Sequence, residues 1–470
     1  MSPARRRLRA PACRRRSPPG SSLVKQSTIL HANGGLGGTT FSGISAPNFV
    51  ASLSYTPTDV VLNLTAALGA GAGLNTNQQN VANTLNTFFN DVGTLPANFS
   101  GVFGLTGNKL GTALSQLSGE AATGAQQGAF QFMGQFLGLM LDPFAGGRGD
   151  AGYGAGSALG FAPERAALPD DIALAYAKAT KTPLDKAPQV SEPRWSVWGS
   201  GFGGYNKTSG DASTGSNDLT ARAAGGAAGL DYHLTRDAVI GFALAGGGTK
   251  WDLAQGLGGG KSDAFQGGVY ASVRSGPAYV AASLAAANHW MSTDRFAAFG
   301  DHLTASFNAQ SYGGRIEGGY RFATPIAGVT PYAALQAQSF RIPSYNEADL
   351  SGGGFGIAYA ARSATDTRSE LGARFDRAML VAPDAALTLR GRLAWAHDWV
   401  SDPVLTAVFQ TLPGASFIVG GATPAKDTAL VSAGADLHLA GGITLSAKFD
   451  GEFAGRAQTY AGTGTLRYSW

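Results

Sequence analysis

The last thirteen residues of the chain, Gln458–Trp470, read QTYAGTGTLRYSW and give the clearest indication of its fold. At a period of two, one face of this stretch is small or apolar and ends on aromatic residues: Tyr460, Gly462, Gly464, Leu466, Tyr468 and Trp470. The other face is mostly polar: Thr459, Ala461, Thr463, Thr465, Arg467 and Ser469. A strand of a membrane β-barrel has this pattern, because one face meets lipid, the other meets the lumen, and aromatic girdles mark the two interfaces. Soluble sandwiches also alternate, so the pattern has to recur along the chain.

The pattern does recur from Trp195 onward, and the sequence predicts twelve strands. Their predicted limits are 195–206, 219–233, 238–252, 262–275, 278–290, 303–322, 329–342, 363–380, 386–400, 427–439, 443–455 and 458–470. The ninth is typical, because its leucines and tryptophans oppose Thr388, Arg390 and Arg392. The strands exceed the roughly 9 to 11 residues that cross a bilayer at the tilt of a barrel, so we expect them to project beyond it.

The connections between these strands alternate in length. The long ones cover residues 207–218, 253–261, 291–302, 343–362 and 401–426, whereas tight turns such as Gly276–Pro277 separate them. Only the last hairpin, at Arg456–Ala457, is short where a long loop is due. Long loops at one end and short turns at the other, with an even strand count, are typical of outer-membrane barrels. The sequence therefore predicts an all-β fold, a 12-stranded antiparallel outer-membrane β-barrel over residues 194–470.

Composition and charge exclude several other classes of protein. With 68 glycines and only 14% charged residues, the chain is too apolar for disorder. Its longest apolar run, Ala129–Leu141, is shorter than the roughly 18 residues of a membrane helix and contains glutamines and glycines. Seven of the 35 basic residues are arginines before Gly20; without them, 28 basic residues face 31 acidic ones. The body of the chain is thus no polyanion binder, and we expect no nucleic-acid partner.

The part before the barrel divides into segments of different character. Residues 1–22 are predicted to be a basic unstructured tail; they contain the single cysteine, Cys13, and no recognisable secretory leader. Residues 23–110 are rich in Gly, Asn, Thr and Ser, with short apolar runs, which favours a β-solenoid-like passenger remnant. In residues 111–143 the apolar positions recur nearer helical spacing, which predicts a helical junction segment, and residues 144–169 read as a linker.

A further helix is predicted over residues 170–186, with acids at its start and Lys178 near its end. Its small side chains and a length of about 18 Å, at roughly 1.5 Å per residue, would let it pass through a narrow barrel. The residues singled out on this predicted lumen helix are Asp170, Asp171, Tyr176 and Lys178.

Charged residues of the strands fall on the predicted inner face. Arg or Lys on the lipid face costs about 2 to 4 kcal/mol at the bilayer midplane, so charges collect in a wet lumen. The predicted lumen network consists of Arg315, Glu317, Arg321, Glu370, Arg374, Arg390, Arg392, Lys448, Asp450 and Glu452. Two roles remain open for it: a mutually paired network that stiffens the barrel, or contact with a transported chain.

Sequence motifs give no support to an enzyme. The six histidines occur at no metal-ligand spacing, and the chain lacks the G-x-S-x-G, H-E-x-x-H and G-x-x-x-x-G-K-[ST] signatures. We therefore predict no catalytic residue, no cofactor and no metal site.

Three features together resemble a known family, the classical monomeric autotransporters, which are type V secretion proteins of Gram-negative envelopes. They are WSVWGSGFGGY at 195–205, the count of twelve strands, and the terminal LRYSW at 466–470. In addition, LSQLSGEAATGAQQGAFQ at 114–131 looks like the junction between passenger and barrel in such proteins.

This resemblance implies a translocator and anchor that inserts as a barrel and exports or displays its N-terminal passenger on the cell surface. It implies an assembly signal at Leu466, Tyr468 and Trp470, read by the barrel-assembly machinery, with outer-membrane lipid, periplasmic chaperones and the passenger as partners of a monomer. A porin-like channel, or a surface adhesin acting through the passenger stub, are the alternatives. Family members begin with a signal peptide and a long passenger, which this sequence does not contain, so we expect either a longer parent chain or a member with a short passenger.

Overall fold

The computed structural model describes residues 22–142 and 194–470, together with the backbone of the short strand Cys13–Arg14. That strand pairs in parallel with Ile44–Ser45, so the predicted unstructured tail is wrong at these two positions. The elements before the barrel are β1 (Gln26–His31), β2 (Phe49–Tyr55), β3 (Asp59–Ala66), α1 (Thr76–Val92), α2 (Ala97–Phe103), α3 (Gly107–Ser118), a 3₁₀ turn (Glu120–Thr123) and α4 (Gly124–Leu141). A two-residue pairing of Leu23–Val24 with Thr94–Leu95 ties the start of this part to its helices.

The predicted β-solenoid over residues 23–110 is wrong. Strand β3 lies between β1 and β2 and is antiparallel to both, whereas solenoid coils stack in parallel. The chain then turns helical, because Asn75 and Gln78 form a reciprocal capping box at the start of α1 and Gly93, at φ +82°, ends it. Residues 22–118 are called the cap domain below. None of the helices in the described parts of the chain is both long and apolar enough to cross a bilayer.

Twelve long antiparallel strands follow, as predicted. They are β4 (Trp195–Thr208), β5 (Leu219–Thr235), β6 (Ala238–Leu253), β7 (Gly259–Ser275), β8 (Ala278–Phe296), β9 (His302–Tyr320), β10 (Gly328–Ile342), β11 (Arg362–Ala382), β12 (Ala385–Val400), β13 (Asp427–Leu439), β14 (Ile443–Phe453) and β15 (Ala457–Ser469). Each pairs with the next, and a two-residue continuation, Phe322–Ala323, also pairs with β10.

The ring closes between its last and first strands. Strand β15 pairs with β4 along its whole length, from Ala457 opposite Thr208 to Ser469 opposite Ser196. At the end of this seam Trp470 N–H donates to the Trp195 carbonyl at 2.9 Å, and Trp195 N–H donates to the Trp470 carbonyl at 3.2 Å. The barrel therefore has no free edge. A sheet can span a bilayer only in this closed form, because unpaired backbone groups find no hydrogen-bond partners in lipid.

The outer surface of the barrel is apolar and the inner surface is polar. Large apolar side chains that are exposed on the outside include Phe242, Leu244, Val269, Leu284, Leu335, Leu371, Leu393, Trp395, Phe449 and Leu466. Their inward neighbours along the strands are small, polar or charged, as the alternation predicts. This distribution matches a barrel that meets lipid outside and a wet lumen inside.

The two ends of the barrel differ. At the loop end, two long connections pair into a loop sheet, whose strands in spatial order are Tyr345–Asn346, Ile357–Tyr359, Val404–Phe409 and Ser416–Gly420. At the turn end the connections are short, and both ends of the barrel sequence, Trp195 and Trp470, meet there. The cap domain packs on the loop end, where its helices and the loops share one hydrophobic core. A second core fills part of the lumen.

A buried polar cluster joins strands on both sides of the closing seam at the turn end. Arg467 of β15 forms an ion pair with Asp231 of β5 and donates to Ser196 of β4 at 2.9 Å. Asp231 also accepts from Ser196 at 2.6 Å and from Tyr270. The Asp231 carboxylate is fully buried, so its charge is tolerated only because the Arg467 guanidinium faces it.

Replacing Arg467 by Met should therefore destabilise the barrel by about 3 to 5 kcal/mol, because Asp231 would stay buried without a cation. The double variant Arg467→Met with Asp231→Leu should recover much of that loss. Urea unfolding of the refolded protein, followed by its migration in cold SDS gels, would measure both. Equal unfolding midpoints for the native protein and the single variant would contradict this account.

Candidate functional site

Helix α4 lies inside the barrel and is the element around which the lumen is built. Its large apolar side chains, Phe132, Met133, Phe136, Leu137 and Met140, recur at helical spacing and are all buried. They pack against the inner faces of β5 to β10 on one side of the lumen. The helix enters at the loop end, where Trp251 Nε1 of β6 donates to the Ala121 carbonyl at 2.8 Å.

Glycines on the inner wall form sockets for these side chains. A Cβ built on Gly313 of β9 would lie 2.9 Å from Leu137 and 3.0 Å from Met133. A Cβ on Gly268 of β7 would lie 2.8 Å from Met140, and one on Gly247 of β6 would lie 3.0 Å from Phe132. The wall is thus free of side chains where the helix is bulky, which explains part of the high glycine content in terms of packing.

The opposite side of α4 is polar, and its first glutamine, Gln127, donates to Asn206 Oδ1 at 2.7 Å and to Thr208 Oγ1 at 2.5 Å on β4. Gln127, Gln131 and Gln135, spaced four residues apart, face a cavity of about 270 Å³. The side-chain amides of Gln131 and Gln135 are buried and make no hydrogen bond to the described residues. Buried amides need polar partners, and a polar cavity of this size has room for water. The wall opposite belongs to β11–β15 and β4 and carries most of the lumen charges.

All ten residues of the predicted lumen network lie in ion pairs. Arg315 binds Glu370 and Glu317 at 2.8 Å each, and Arg374 binds the same Glu317 at 2.8 Å. The remaining pairs are Arg321–Asp376 at 2.7 Å, Arg368–Glu452 at 2.9 Å, Arg392–Asp450 at 3.3 Å, Lys448–Asp450 at 3.1 Å and Arg390–Asp436 at 2.7 Å. The charges therefore neutralise one another, mostly between strands that are two or three positions apart in the ring, which favours the stiffening role over contact with a transported chain.

Asp142, which follows α4, connects the helix to this network. Its carboxylate accepts from Arg390 at 2.6 Å and lies 3.4 Å from Lys448. An acid at a helix C-terminus is unfavourable for the helix dipole, but two cations placed there reverse the local charge. The end of the lumen helix is thus held by the barrel wall.

Sequence reasoning missed several members of the site. Asp142, Arg368 and Asp436 belong to the network, and α4 falls in the segment predicted only as a helical junction. The alternation of β11 and β13 could have identified Arg368 and Asp436 as inward-facing. The predicted lumen helix, with Asp170, Asp171, Tyr176 and Lys178, lies outside the described residues, as do residues 144–169; within the described residues the helix in the lumen is α4.

The residues of the predicted assembly signal point outward at the turn end. Leu466, Tyr468 and Trp470 are exposed, and the rings of Tyr468 and Trp470 stack with centroids 5.4 Å apart. They form an apolar, aromatic edge at the end of the strand that closes the barrel.

Glu120 occupies the junction between the cap domain and α4. Its carboxylate accepts from the Asn217 backbone N–H at 2.7 Å and from the Asn217 amide at 2.6 Å. Burial raises the pKa of Glu120 to about 7, although the two hydrogen bonds from Asn217 oppose that rise. Residues 22–142 and 194–470 contain no group of three or more His, Cys, Asp or Glu that could hold a metal ion.

Comparison with known families identifies the barrel. Residues 197–450 match the sequence model of the autotransporter beta-domain, which is more than half of the chain. The chain belongs to the autotransporter family. The barrel of this autotransporter is therefore an outer-membrane translocator domain of a Gram-negative bacterium, and translocator domains are not enzymes.

Two curated relatives, both named extracellular serine protease of Serratia marcescens, are similar to this autotransporter. They are 28% identical over 237 residues and 27% identical over 234 residues, which is 49% of this chain in each case. The matched part spans only 22% of each relative, so the proteolytic activity in their name belongs to those proteins.

Among solved structures, the beta domain of the Bordetella autotransporter BrkA is similar at 20% identity and a TM-score of 0.47, covering 59% of this chain and all of that one. The translocator domain of the autotransporter NalP from Neisseria meningitidis is similar at 14% identity and a TM-score of 0.47, covering 64% of this chain and 95% of that one.

Filling one socket should loosen α4 without disturbing the barrel. In Gly313→Leu the atoms nearest to the new Cβ belong to Leu137 and Met133 of α4, and such overpacking costs about 1 to 3 kcal/mol. We expect a lower unfolding midpoint and a higher single-channel conductance in planar bilayers, because the helix is displaced from the lumen. The matched control is Gly464→Leu, since a Cβ there has no atom within 4 Å and faces lipid. Identical conductance in the two variants would contradict the socket role.

The stability of the buried Glu120 site should fall as the pH rises, because burial disfavours the charged carboxylate. A carboxyl whose folded pKa is about 7, against an ordinary 4.5, binds more protons in the folded state between these values. The contribution of Glu120 to stability is therefore greatest below about pH 4.5, falls by roughly 3 kcal/mol as the pH rises to 7, and stays at that lower level above pH 7. Glu120→Gln should remove this component, which thermal unfolding at pH 5 and pH 8 would measure. A variant with the same pH dependence as the native protein would rule out Glu120 as its source.

Proposed function

We propose that this autotransporter exports its N-terminal residues through its own barrel, displays them at the cell surface and anchors them there as a monomer. In this proposal the loop end faces the outside and the turn end faces the periplasm. The partners are outer-membrane lipid, the passenger segment, periplasmic chaperones and the barrel-assembly machinery.

The path of the chain carries this proposal. The cap domain lies at the loop end, α4 runs from there into the lumen, and β4 begins at the turn end. A chain that enters the ring at one end and starts its first strand at the other has to be threaded through the barrel. Export of the N-terminal part before the barrel reached its final state accounts for this threading.

The state of the lumen supports an anchor more than a porin-like channel. One side of the lumen is packed by apolar side chains of α4, and the Asp142 carboxylate binds Arg390 and Lys448 on the opposite wall. A packed and charge-paired helix is a structural part of the barrel, and it restricts passage to the polar cavity beside it.

The last strand supplies the assembly signal in this proposal. Trp470 completes the backbone pairing with Trp195, and its exposed ring extends the aromatic edge formed with Tyr468. An aromatic side chain at the end of the closing strand is suited to the membrane interface and to recognition before closure.

The test is surface display in a Gram-negative host, with a signal peptide and an epitope placed before residue 22. We expect antibody to label the epitope on intact cells and the barrel to migrate anomalously in cold SDS gels. Deletion of Trp470 should lower both signals several-fold, because the seam and the aromatic edge lose their last residue.

The matched control is Trp290→Phe, which keeps an aromatic side chain at an outward position on β8. Labelling only after permeabilisation, with the barrel folded, would contradict export. Normal insertion of the Trp470 deletion would contradict the assembly role of that residue.

A further inference from the structure

We propose that the cap domain remains docked on the loop end of the barrel after export, as a lid, and that any part of the chain before residue 22 is displayed from this lid. The loop end is then a binding surface whose partner is a segment of the same chain. The surface location of the lid rests on the export proposed above, whereas docking itself is independent of export.

The first contact is between α1 and the free edge of the loop sheet. Asn77 donates to the Gly420 carbonyl at 2.8 Å and accepts from the Gly420 N–H at 2.9 Å. Asn80 donates to the Ile418 carbonyl at 2.9 Å and Thr84 to the Ser416 carbonyl at 2.8 Å.

These contacts match the periodicity of the two elements. Residues 77, 80 and 84 lie on one face of the helix over about 10 Å, at roughly 1.5 Å per residue. The carbonyls of residues 416, 418 and 420 point the same way along the strand over about 13 Å, at roughly 3.3 Å per residue. An exposed strand edge invites pairing with other chains, and α1 covers this one with complementary side chains.

The second contact is apolar. Phe99 of α2 is fully buried between Phe355 and Phe409 of the loops, with ring centroids 4.9 Å and 5.1 Å away and both pairs edge-to-face. Asn98 beside it donates to the Gly353 carbonyl at 2.8 Å. Without the cap domain, the loop phenylalanines would be exposed, and without the loops, so would Phe99. The two parts therefore form one hydrophobic core and not two touching surfaces.

The third contact is a buried ion pair that needs the cap domain. Arg295 of β8 binds Glu347 of the loops at 2.6 Å, and both side chains are about 2% exposed. Arg295 Nη1 donates to the Gln116 carbonyl of α3 at 2.8 Å. Tyr359 donates to the carbonyl of Gly119, the residue that directly follows the cap domain, at 3.0 Å. Removal of the cap domain would leave buried donors without these acceptors, which opposes undocking.

Together these contacts make the cap domain a structural part of the barrel. The lumen is then obstructed twice, by α4 within it and by the cap domain above it. The cap domain differs in this respect from a passenger that is merely tethered by a linker, which would be open to protease on the cell surface.

Proteolysis of the purified full-length protein, refolded in detergent, distinguishes these states. With proteinase K we expect a fragment containing residues 22–142 to persist for as long as the barrel remains folded, which cold SDS gels report. Rapid loss of that fragment from the native protein, with the barrel intact, would overturn the proposal. This measurement needs no variant and does not depend on export.

Two variants then test the contacts. The triple variant Asn77→Ala, Asn80→Ala and Thr84→Val, and separately Arg295→Met, should speed cleavage of the fragment at least tenfold while the barrel stays folded. The matched control is Gln79→Ala with Asn83→Ala, because these two side chains bond each other on the outer side of α1. If both test variants resist protease as the control does, docking through these contacts is refuted.

A third measurement, hydrogen exchange, uses only the native protein and so does not depend on whether a variant folds. Hydrogen exchange of the native protein should show backbone amides of α1 and of Ser416–Gly420 protected to the same degree, since they would open together. Exchange of α1 at least a hundredfold faster than that of the adjoining strand would show a cap domain that undocks, and would refute the proposal.

Discussion

Backbone pairing between the last strand and the first is the interaction on which the rest of the structure depends. An open twelve-stranded sheet would leave a row of N–H and C=O groups in lipid, each costing several kcal/mol, so the barrel exists only as a closed ring. The pairing of β15 with β4 removes that row, and the buried Arg467–Asp231 pair links strands on both sides of the seam. Closure also creates the lumen that contains the charged network and helix α4.

Helix α4 has an apolar face and a polar face, and each faces a different part of the inner wall. Toward β5–β10 the helix is bulky and the wall is bare, so packing supplies the stabilisation. Toward β11–β15 the helix carries glutamines and the wall carries charges, some of which pair with Arg315 and Glu317 on β9, so hydrogen bonds and ion pairs dominate. Apolar packing therefore holds the helix on one side of the lumen, and polar contacts hold it on the other. Asp142 connects the two sides, because it directly follows α4 and its carboxylate binds Arg390 and Lys448 of the charged wall.

The cap domain is also held to the barrel by both polar and apolar contacts, at the loop end. Its helices satisfy a strand edge, bury loop phenylalanines and complete a buried ion pair, which are three separate requirements of the loop end. Glu120 lies where this assembly meets α4 and is buried enough that its pKa is near neutrality. The N-terminal part of the described chain is thus integrated with the barrel through contacts that span hundreds of residues in sequence.

What the sequence determined by itself was the barrel. A period of two is imposed by the strand, and a lipid-facing side excludes charge, so the twelve strands, their inward charges and the outward aromatic residues Tyr468 and Trp470 are legible without any structure. The helix that fills the lumen and the fold of the N-terminal part depend on tertiary contacts and could not be predicted from the sequence. The sequence of α4 predicts only a helical junction segment. Its bulky side chains pack against glycines of the barrel wall, and glycines give no hydrophobic pattern from which that contact could be predicted. The cap domain was misread as a solenoid because the apolar residues of α1 to α3 are completed by loops more than 200 residues away, and such long-range complementarity leaves no local period.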